Sequence, residues 1–386
     1  MGNPINPSNP SNPIIPIIPQ SKMGFGCMRL PLLDESDQTS IDIEQFKQMV
    51  DAFMETGHTY FDTAFVYHDG ASETAIGEAL VARYPRESFT LATKCLAWAM
   101  PDAASAKSCL DTSLERMGTD YVDYYLLHNV GDKRTAKFDA YGMWEWAQEQ
   151  KAAGKIRFVG FSMHDDAARL DELLTAHPEM DFVQLQVNYL DWDDPHNEAR
   201  RLMEVAAKHG KPVTIMEPAR GGRLCNLPQA AADILAACNP RASQAEWAYR
   251  FCWNLPNVLA VLSGASTIEQ MRENVASYAA NAPFTPAEET ALGEAIGVLR
   301  SLAGVPCTAC NYCMKGCPSH VQIPQVMELL NLEAMTGDHA FVKDLYSWQT
   351  AEGRAGACVK CGKCEAMCPQ HIDIIRQLER AVELYE

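Results

Sequence analysis

Eight cysteines near the C-terminal end constrain this chain more than any other feature. They form two runs: Cys307, Cys310, Cys313 and Cys317 followed by Pro318, and Cys358, Cys361, Cys364 and Cys368 followed by Pro369. Both runs read CxxCxxCxxxCP. Two successive CxxC gaps put three thiolates on one tight loop, which suits three irons of a cubane, and the fourth cysteine lies past the loop. Structural zinc takes four ligands in total, commonly from two paired CxxC units. Four cysteines per run, each run closed by proline, favour iron–sulfur over zinc. The sequence therefore predicts two [4Fe-4S] clusters held by these eight residues. With 14 cysteines and no export signal, the chain reads as a protein of a reducing, cytoplasmic compartment rather than one stapled by disulfides.

In two-cluster ferredoxins the fourth cysteine of each run reaches across to the other cluster. The expected ligand sets are then Cys307, Cys310, Cys313 and Cys368 for one cluster, and Cys358, Cys361, Cys364 and Cys317 for the other. The segment between the runs carries apolar residues at helical spacing: Val326, Leu329, Leu330, Leu332 and Met335. It is longer than the gap in a compact bacterial ferredoxin and resembles the α-helical ferredoxin type of respiratory dehydrogenase subunits. In so small a domain those apolar positions are expected to be core rather than contact surface.

The 386 residues suit one barrel-sized domain plus a small appendage. A net charge of −18 argues against nucleic acid or an anionic membrane as partner, since both attract clustered Lys and Arg. No apolar stretch is long enough to span a bilayer. Pro4, Pro7, Pro10, Pro13, Pro16 and Pro19 recur at every third position, a pattern that favours polyproline II or disorder. Lacking a basic start and a long apolar run, residues 1–21 read as a tail or linker rather than a secretory signal.

From about residue 22 to 300, short β-rich runs alternate with helical patterns. The expected strands are Met23–Leu30, Thr59–Asp62, Phe89–Lys94, Tyr121–His128, Phe158–Ser162, Phe182–Asn188, Val213–Glu217 and Val258–Ser263. The helical patterns between them include Ile43–Thr56, Ala103–Met117, Phe138–Ala153, Asn197–His209 and Ser243–Asn254. Eight such units predict an α/β fold: a (β/α)8 TIM barrel over 22–300, followed by the small α-helical ferredoxin-like domain over 301–386.

Barrel enzymes place their chemistry at the C-terminal ends of the strands. There this sequence puts Asp62, Lys94 and His128, with Tyr67 five residues after Asp62 in FDTAFVYHDG. Each alone has a structural reading, as a helix cap, a structural ion pair, a core aromatic or a satisfied loop histidine. Together, in this order and with this DTAxxY spacing, they resemble the Asp-Tyr-Lys-His tetrad of the aldo/keto reductases. The resemblance implies NAD(P)H-dependent interconversion of a small carbonyl and its alcohol. Tyr67 would give the proton, Lys94 would lower its pKa, Asp62 would hold Lys94, and His128 would orient the carbonyl.

The resemblance extends through GFGCMRLP (24–31), GKIRFVGFSMHD (154–165), DFVQLQVNYLD (181–191), EPARGG (217–222) and SGASTIEQMREN (263–274). It implies nicotinamide contacts at Ser162 and Gln184. It also implies phosphate and adenine contacts at Gly264, Ser266, Gln270, Glu273 and Asn274, beside a helix start that suits an anion. The order of barrel then cysteine runs matches a ferredoxin-containing branch of that family. No GxGxxG follows a first strand, so a Rossmann reading fails. Met216 stands where the family commonly stacks a tyrosine. Gly264 and Gln270 stand where NADPH-selective members carry Lys and Arg, with Arg223 and Arg272 as candidate substitutes, so both NADH and NADPH stay open.

The remaining cysteines, Cys27, Cys95, Cys109, Cys225, Cys238 and Cys252, show no ligand spacing and are expected to be buried thiols. Trp98 and Trp192 fall on expected top loops, as pocket lining or as packing. Hydride transfer moves two electrons and each cluster one, and no flavin motif bridges them. The clusters therefore read either as carriers to an external ferredoxin-like partner or as structural staples. The alternative function is an electron-transfer or docking protein with a non-catalytic barrel.

Overall fold

The computed structural model describes residue 19 and residues 21–131, 134–195, 197–307, 310–349 and 353–386. The proline-rich stretch through residue 18 lies outside the described residues. The chain begins β1 (Met23–Gly26), α1 (Ile43–Glu55), β2 (Tyr60–Asp62), α2 (Ala71–Ile76), β3 (Thr90–Cys95), α3 (Ala103–Met117) and β4 (Val122–Val130). It continues α4 (Thr135–Ala140), α5 (Met143–Ala152), β5 (Ile156–Met163), α6 (Ala167–Ala176), β6 (Phe182–Gln186), α7 (Ala199–Lys208) and β7 (Val213–Met216). Then come α8 (Gln229–Cys238), α9 (Gln244–Trp253), β8 (Val258–Ser263), α10 (Ile268–Tyr278) and α11 (Pro286–Ser301). It ends with α12 (Ile323–Thr336), α13 (His339–Ser347), α14 (Lys363–Met367) and α15 (Ile374–Tyr385). No helix among the described residues is long and apolar enough to cross a membrane.

All eight strands pair in parallel, and β1 pairs with β8 to close the barrel. Each expected strand is present. The first stops at Gly26 rather than Leu30, because the chain there turns away from the sheet. The expected helix over 138–153 is two, α4 and α5, broken at Gly142, whose φ of 59° no helix interior accommodates.

The chain divides into two compact units. The barrel unit ends its first stretch at Asp193 and adds Asn197–Leu224 and Ala245–Pro283. The other contains Cys225–Gln244 and Phe284–Glu386, so α8 and α11 group with the cysteine module rather than with the barrel. In that module α12, α13 and α15 share a core of Val326, Met327, Leu330, Val342, Tyr346, Leu378 and Tyr385. The helical spacing of Val326, Leu329, Leu330 and Leu332 is thus a core face.

Within the barrel, Tyr60, Ala92, Tyr124, Leu126, Phe182, Leu259, Ala260 and Leu262 form one buried cluster, with Phe158 and Met216 packed on it. Every one lies on a strand, as barrel-interior residues must. Side chains alternate faces with period two. Two residues beyond Tyr60, Ala92, Leu126 and Phe182, the same inward faces present Asp62, Lys94, His128 and Gln184. The apolar plug and the polar mouth are therefore one pattern read along the strands.

Gly160 sits between the inward positions of Phe158 and Ser162. A Cβ there would stand 2.4 Å from the Phe182 carbonyl oxygen and 2.8 Å from its ring. Overpacking of this kind costs about 1–3 kcal/mol. Gly160→Ala is expected to lower the unfolding free energy by that order, measured by urea denaturation followed by circular dichroism, whereas Gly264→Ala, which meets nothing within 4 Å, leaves it in place.

Candidate active site and cluster sites

The centre of the barrel mouth is a buried ion pair. Lys94 Nζ donates to Asp62 Oδ1 at 2.5 Å, with side-chain exposures of 0% and 2%. The same ammonium donates to the Thr63 carbonyl at 2.7 Å and reaches Tyr67 OH at 3.5 Å. Gln184 Nε2 donates to the second Asp62 oxygen at 3.2 Å. The Tyr67 and His128 rings meet edge-on, centroids 6.0 Å apart. Asp62, Lys94 and His128, from three strand ends, and Tyr67, from the turn after β2, therefore converge.

Their protonation follows from burial. Burial alone would lower the Lys94 ammonium, but the charge of Asp62, then of Tyr67, outweighs it and holds Lys94 above its ordinary value. Burial pushes the Asp62 carboxyl up, opposed by Lys94 and Gln184. Tyr67 corrects the sequence expectation. Lys94 does pull the phenol down, but burial acts more strongly, and the net shift is upward. His128 is held well below its ordinary value, first by burial and then by the positive charges of Lys94, His164 and Arg134. It is a neutral imidazole at neutral pH, and its Nδ1 has no hydrogen-bond partner among the described residues.

Tyr67 stands on a turn that is held from several sides. Buried Glu73 accepts from Thr93 Oγ1 at 2.6 Å and from Arg116 at 3.0 Å, and Arg116 also donates to the Phe65 carbonyl at 3.0 Å. Ser72 Oγ donates to the Cys27 carbonyl at 2.9 Å and bonds Thr63 Oγ1 at 2.8 Å. Gly70, at φ 92°, lets the turn pass directly over the Arg116 guanidinium. His68 accepts from Leu30 N through Nε2 at 3.0 Å and bonds the Gln38 carbonyl through Nδ1 at 2.9 Å. On β4 the register slips between Leu127 and Val130, and Asn129 takes a φ of 58°. Bulges of this kind re-aim side chains beside active sites.

Ser162 and Gln184 lie side by side in the β5–β6 register. Ser162 Oγ accepts from Asn129 N at 2.9 Å, and Gln184 is tied to Asp62. In the adenosine-side segment, Gly264 faces open space, Glu273 is exposed, and Gln270 Oε1 accepts from Ser266 N at 2.8 Å. Asn274 is buried and donates to Ser263 Oγ at 2.8 Å. The start of α10 is capped by Thr267. Met216 is half-buried at the end of β7.

Sequence reasoning missed a polar group above β6 and β7. Asp191, 1% exposed, accepts from Gln186 at 2.8 Å and Asn188 at 2.7 Å and pairs with Arg220 at 3.2 Å. Neither Glu73 nor Asp191 follows a strand directly, so no strand-end rule finds them. Trp98 is half-buried and donates from Nε1 to the His128 carbonyl at 3.1 Å. Of the six non-ligand cysteines, Cys27, Cys95, Cys109 and Cys252 are buried as expected, but Cys225 is exposed and Cys238 half-buried.

The cysteine module repeats one local geometry. Asn311 (φ 59°) after Cys310 and Gly362 (φ 73°) after Cys361 both adopt the left-handed turn that starts a short helix. Cys313 and Cys364, inside those helices, are buried, and burial pushes both thiols up. Two cavities collect the sulfur residues. One is lined by Cys307, Cys310, Cys313 and Cys368. The other is lined by Cys317, Cys358, Cys361 and Cys364. The fourth cysteine of each run thus lines the cavity of the other run. Among the described residues no three His, Cys, Asp or Glu side chains close on a single metal ion. Four thiols at each of two apolar-backed hollows fit the ligand set of an iron–sulfur cluster.

Comparison with known proteins agrees with both units. Residues 22–296 match the aldo/keto reductase family, and residues 306–373 match a 4Fe-4S dicluster domain. An uncharacterised oxidoreductase of Bacillus subtilis, YqkF, is 27% identical over 70% of this chain and 90% of its own length. The NADH-specific methylglyoxal reductase of Escherichia coli is 26% identical over 62% of this chain and 83% of its own. A solved aldo-keto reductase from Bacillus halodurans, in its holo form, superimposes with a TM-score of 0.56 at 26% identity, covering 71% of this chain and 91% of that one. With an eight-stranded barrel closed around a tetrad-like mouth and a crossed cysteine module behind it in sequence, this chain belongs to the aldo/keto reductase family and bears a 4Fe-4S dicluster domain.

Proposed function

We propose that the barrel interconverts a small carbonyl compound and its alcohol with NADPH or NADH, with Tyr67 as proton donor. The observation that carries this reading is Lys94, fully buried between Asp62 and Tyr67. A buried ion pair is costly to build, and a barrel used only as a docking scaffold gains nothing from one at its mouth.

A bound nicotinamide supplies or accepts the hydride. The remaining work falls to this chain. Tyr67 holds its proton at neutral pH and gives it to the carbonyl oxygen. Lys94 lowers the cost of the phenolate left behind, and Asp62 keeps Lys94 in place. His128, neutral, donates a hydrogen bond that orients the carbonyl. Ser162 and Gln184 would hold the nicotinamide carboxamide, and Gly264, Ser266, Gln270, Glu273 and Asn274 the adenosine side. Arg223 and Arg272 are the cations nearest in sequence to the two replaced phosphate positions, and both nicotinamides are candidates. In the second unit, Cys307, Cys310, Cys313 and Cys368 would hold one [4Fe-4S] cluster and Cys358, Cys361, Cys364 and Cys317 the other. Such clusters are one-electron carriers, which suits exchange with a ferredoxin-like partner.

Tyr67→Phe is expected to lower kcat for carbonyl reduction by about 10²–10⁴-fold while nicotinamide binding, followed by fluorescence titration, persists; full activity in that variant removes Tyr67 as the donor. Because the phenol is shifted upward, reduction should stay level through neutral pH and fall only above about pH 10, while alcohol oxidation, which needs the phenolate, rises over the same range. A pH–rate profile in both directions checks this, and no limb should appear near pH 6.5 from His128. The crossed ligand sets predict iron contents. Anaerobically purified protein should hold about eight irons, and the double variant Cys317→Ser/Cys358→Ser should lose about four, since both residues serve one cluster. Cys307→Ser/Cys358→Ser should lose nearly all in either arrangement, so near-complete loss in Cys317→Ser/Cys358→Ser means uncrossed sets.

A further inference from the structure

We propose that the substrate of the barrel is an oxo acid, a small aldehyde or ketone bearing a carboxylate, and that Arg134 binds that carboxylate. This inference rests on the carbonyl-reductase reading above and names its substrate class.

Two contacts place the Arg134 charge beside the tetrad. Its guanidinium lies 4.9 Å over the Trp98 ring, and NH1 donates to Asn129 Oδ1 at 2.7 Å. Both of those residues are fastened to the catalytic strand ends. Trp98 Nε1 donates to the His128 carbonyl at 3.1 Å, and Asn129 N donates to Ser162 Oγ at 2.9 Å. The β4 bulge that aims His128 therefore also aims Arg134. Stacking on an indole and one hydrogen bond to an amide oxygen fix the plane of the guanidinium, and among the described residues Nε and NH2 have no hydrogen-bond partner.

The charges around this mouth do not otherwise call for a cation. Lys94 is neutralised by Asp62, Arg220 is paired with Asp191 at 3.2 Å, and Arg29 lies 3.8 Å from Glu217. Arg134 forms no ion pair among the described residues, although the chain has 50 acidic residues against 32 basic ones. In so acidic a protein, an exposed arginine held in a fixed plane with no carboxylate partner among the described residues suits an anion from outside. Its neighbour His128 has the positive charges of Lys94 and Arg134 beside it, while Glu217 lies on the Tyr67 side. A substrate with its carbonyl at Tyr67 and His128 would thus turn its negative end toward Arg134. The planar fork of an arginine matches a carboxylate. Hydride adds to the carbonyl carbon, the Tyr67 proton goes to the carbonyl oxygen, and the carboxylate is unchanged.

The test uses the purified full-length, cluster-containing protein with NADH and with NADPH. Matched pairs are compared: pyruvate with methyl pyruvate, and 4-oxobutanoate with its methyl ester. The acid is expected to exceed its ester in kcat/KM by about 10- to 100-fold, chiefly through KM. Arg134→Gln should bring that ratio close to one, and Arg134→Lys should keep part of it, because the charge remains without the planar fork. Added salt should weaken the acid and not the ester. Circular dichroism and iron content confirm that the variants are folded. An acid-to-ester ratio of one or less in the unaltered protein overturns the proposal. So does a ratio unchanged in Arg134→Gln, or a preference for glyceraldehyde 3-phosphate over every oxo acid. If neutral aldehydes are reduced in a Tyr67-dependent way without an acid preference, only the oxo-acid inference fails. If no carbonyl is reduced at all, the reductase reading fails with it.

Discussion

The Lys94–Asp62 pair is the interaction around which the barrel mouth is organised. Two charges with almost no solvent exposure are tolerable only when every remaining donor and acceptor is used. Here Lys94 is also bound by the Thr63 carbonyl and Tyr67, and Asp62 by Gln184. The pair therefore ties β2, β3 and β6 and the Tyr67 turn to one point. Losing either partner would leave the other as an uncompensated buried charge, at a cost of about 3–5 kcal/mol. The same environment keeps Tyr67 protonated and His128 neutral, which are the forms in which each can donate.

A second polar layer fixes the first. Glu73 and Arg116 hold the turn that carries Tyr67, and the β4 bulge fixes His128, Asn129 and Ser162 together. Below both, Tyr60, Tyr124, Phe182 and Leu126 fill the barrel, so the polar mouth stands on a solid floor. Gly160 is the position where that floor is tightest. Rigidity of this kind makes small distances in a mouth meaningful, since packed side chains cannot drift to suit a substrate.

The cysteine module solves a different problem. It is too small to rely on a large core. Its helices share one apolar cluster that includes the buried Cys313 and Cys364. Crossing the fourth cysteine of each run would make each cluster a tie between the two halves of the repeat. Carrier and staple are then compatible descriptions of the same ligand sets.

Much of this was legible in the sequence, for definite reasons. Strands with period two, helices between them and a reactive residue at successive strand ends specify a barrel and its mouth. Asp62, Tyr67, Lys94 and His128 could be read because each sits next to a recognisable strand. The eight cysteines of the two runs were legible as candidate ligands from spacing alone, since a tight loop presents neighbouring thiols together. Other features depend on residues distant in sequence and so needed the fold. Glu73 meets Thr93 and Arg116, Asp191 meets Arg220, and Arg134 meets Trp98 only once the chain is closed. The direction of the Tyr67 shift was also beyond the sequence. A neighbouring lysine is visible as a letter, but the depth of burial that outweighs it is a property of packing. The sequence by itself determined which groups are present and in what order around the barrel. Tertiary structure decided their protonation, and set the charge of Arg134 beside them on Trp98 and Asn129.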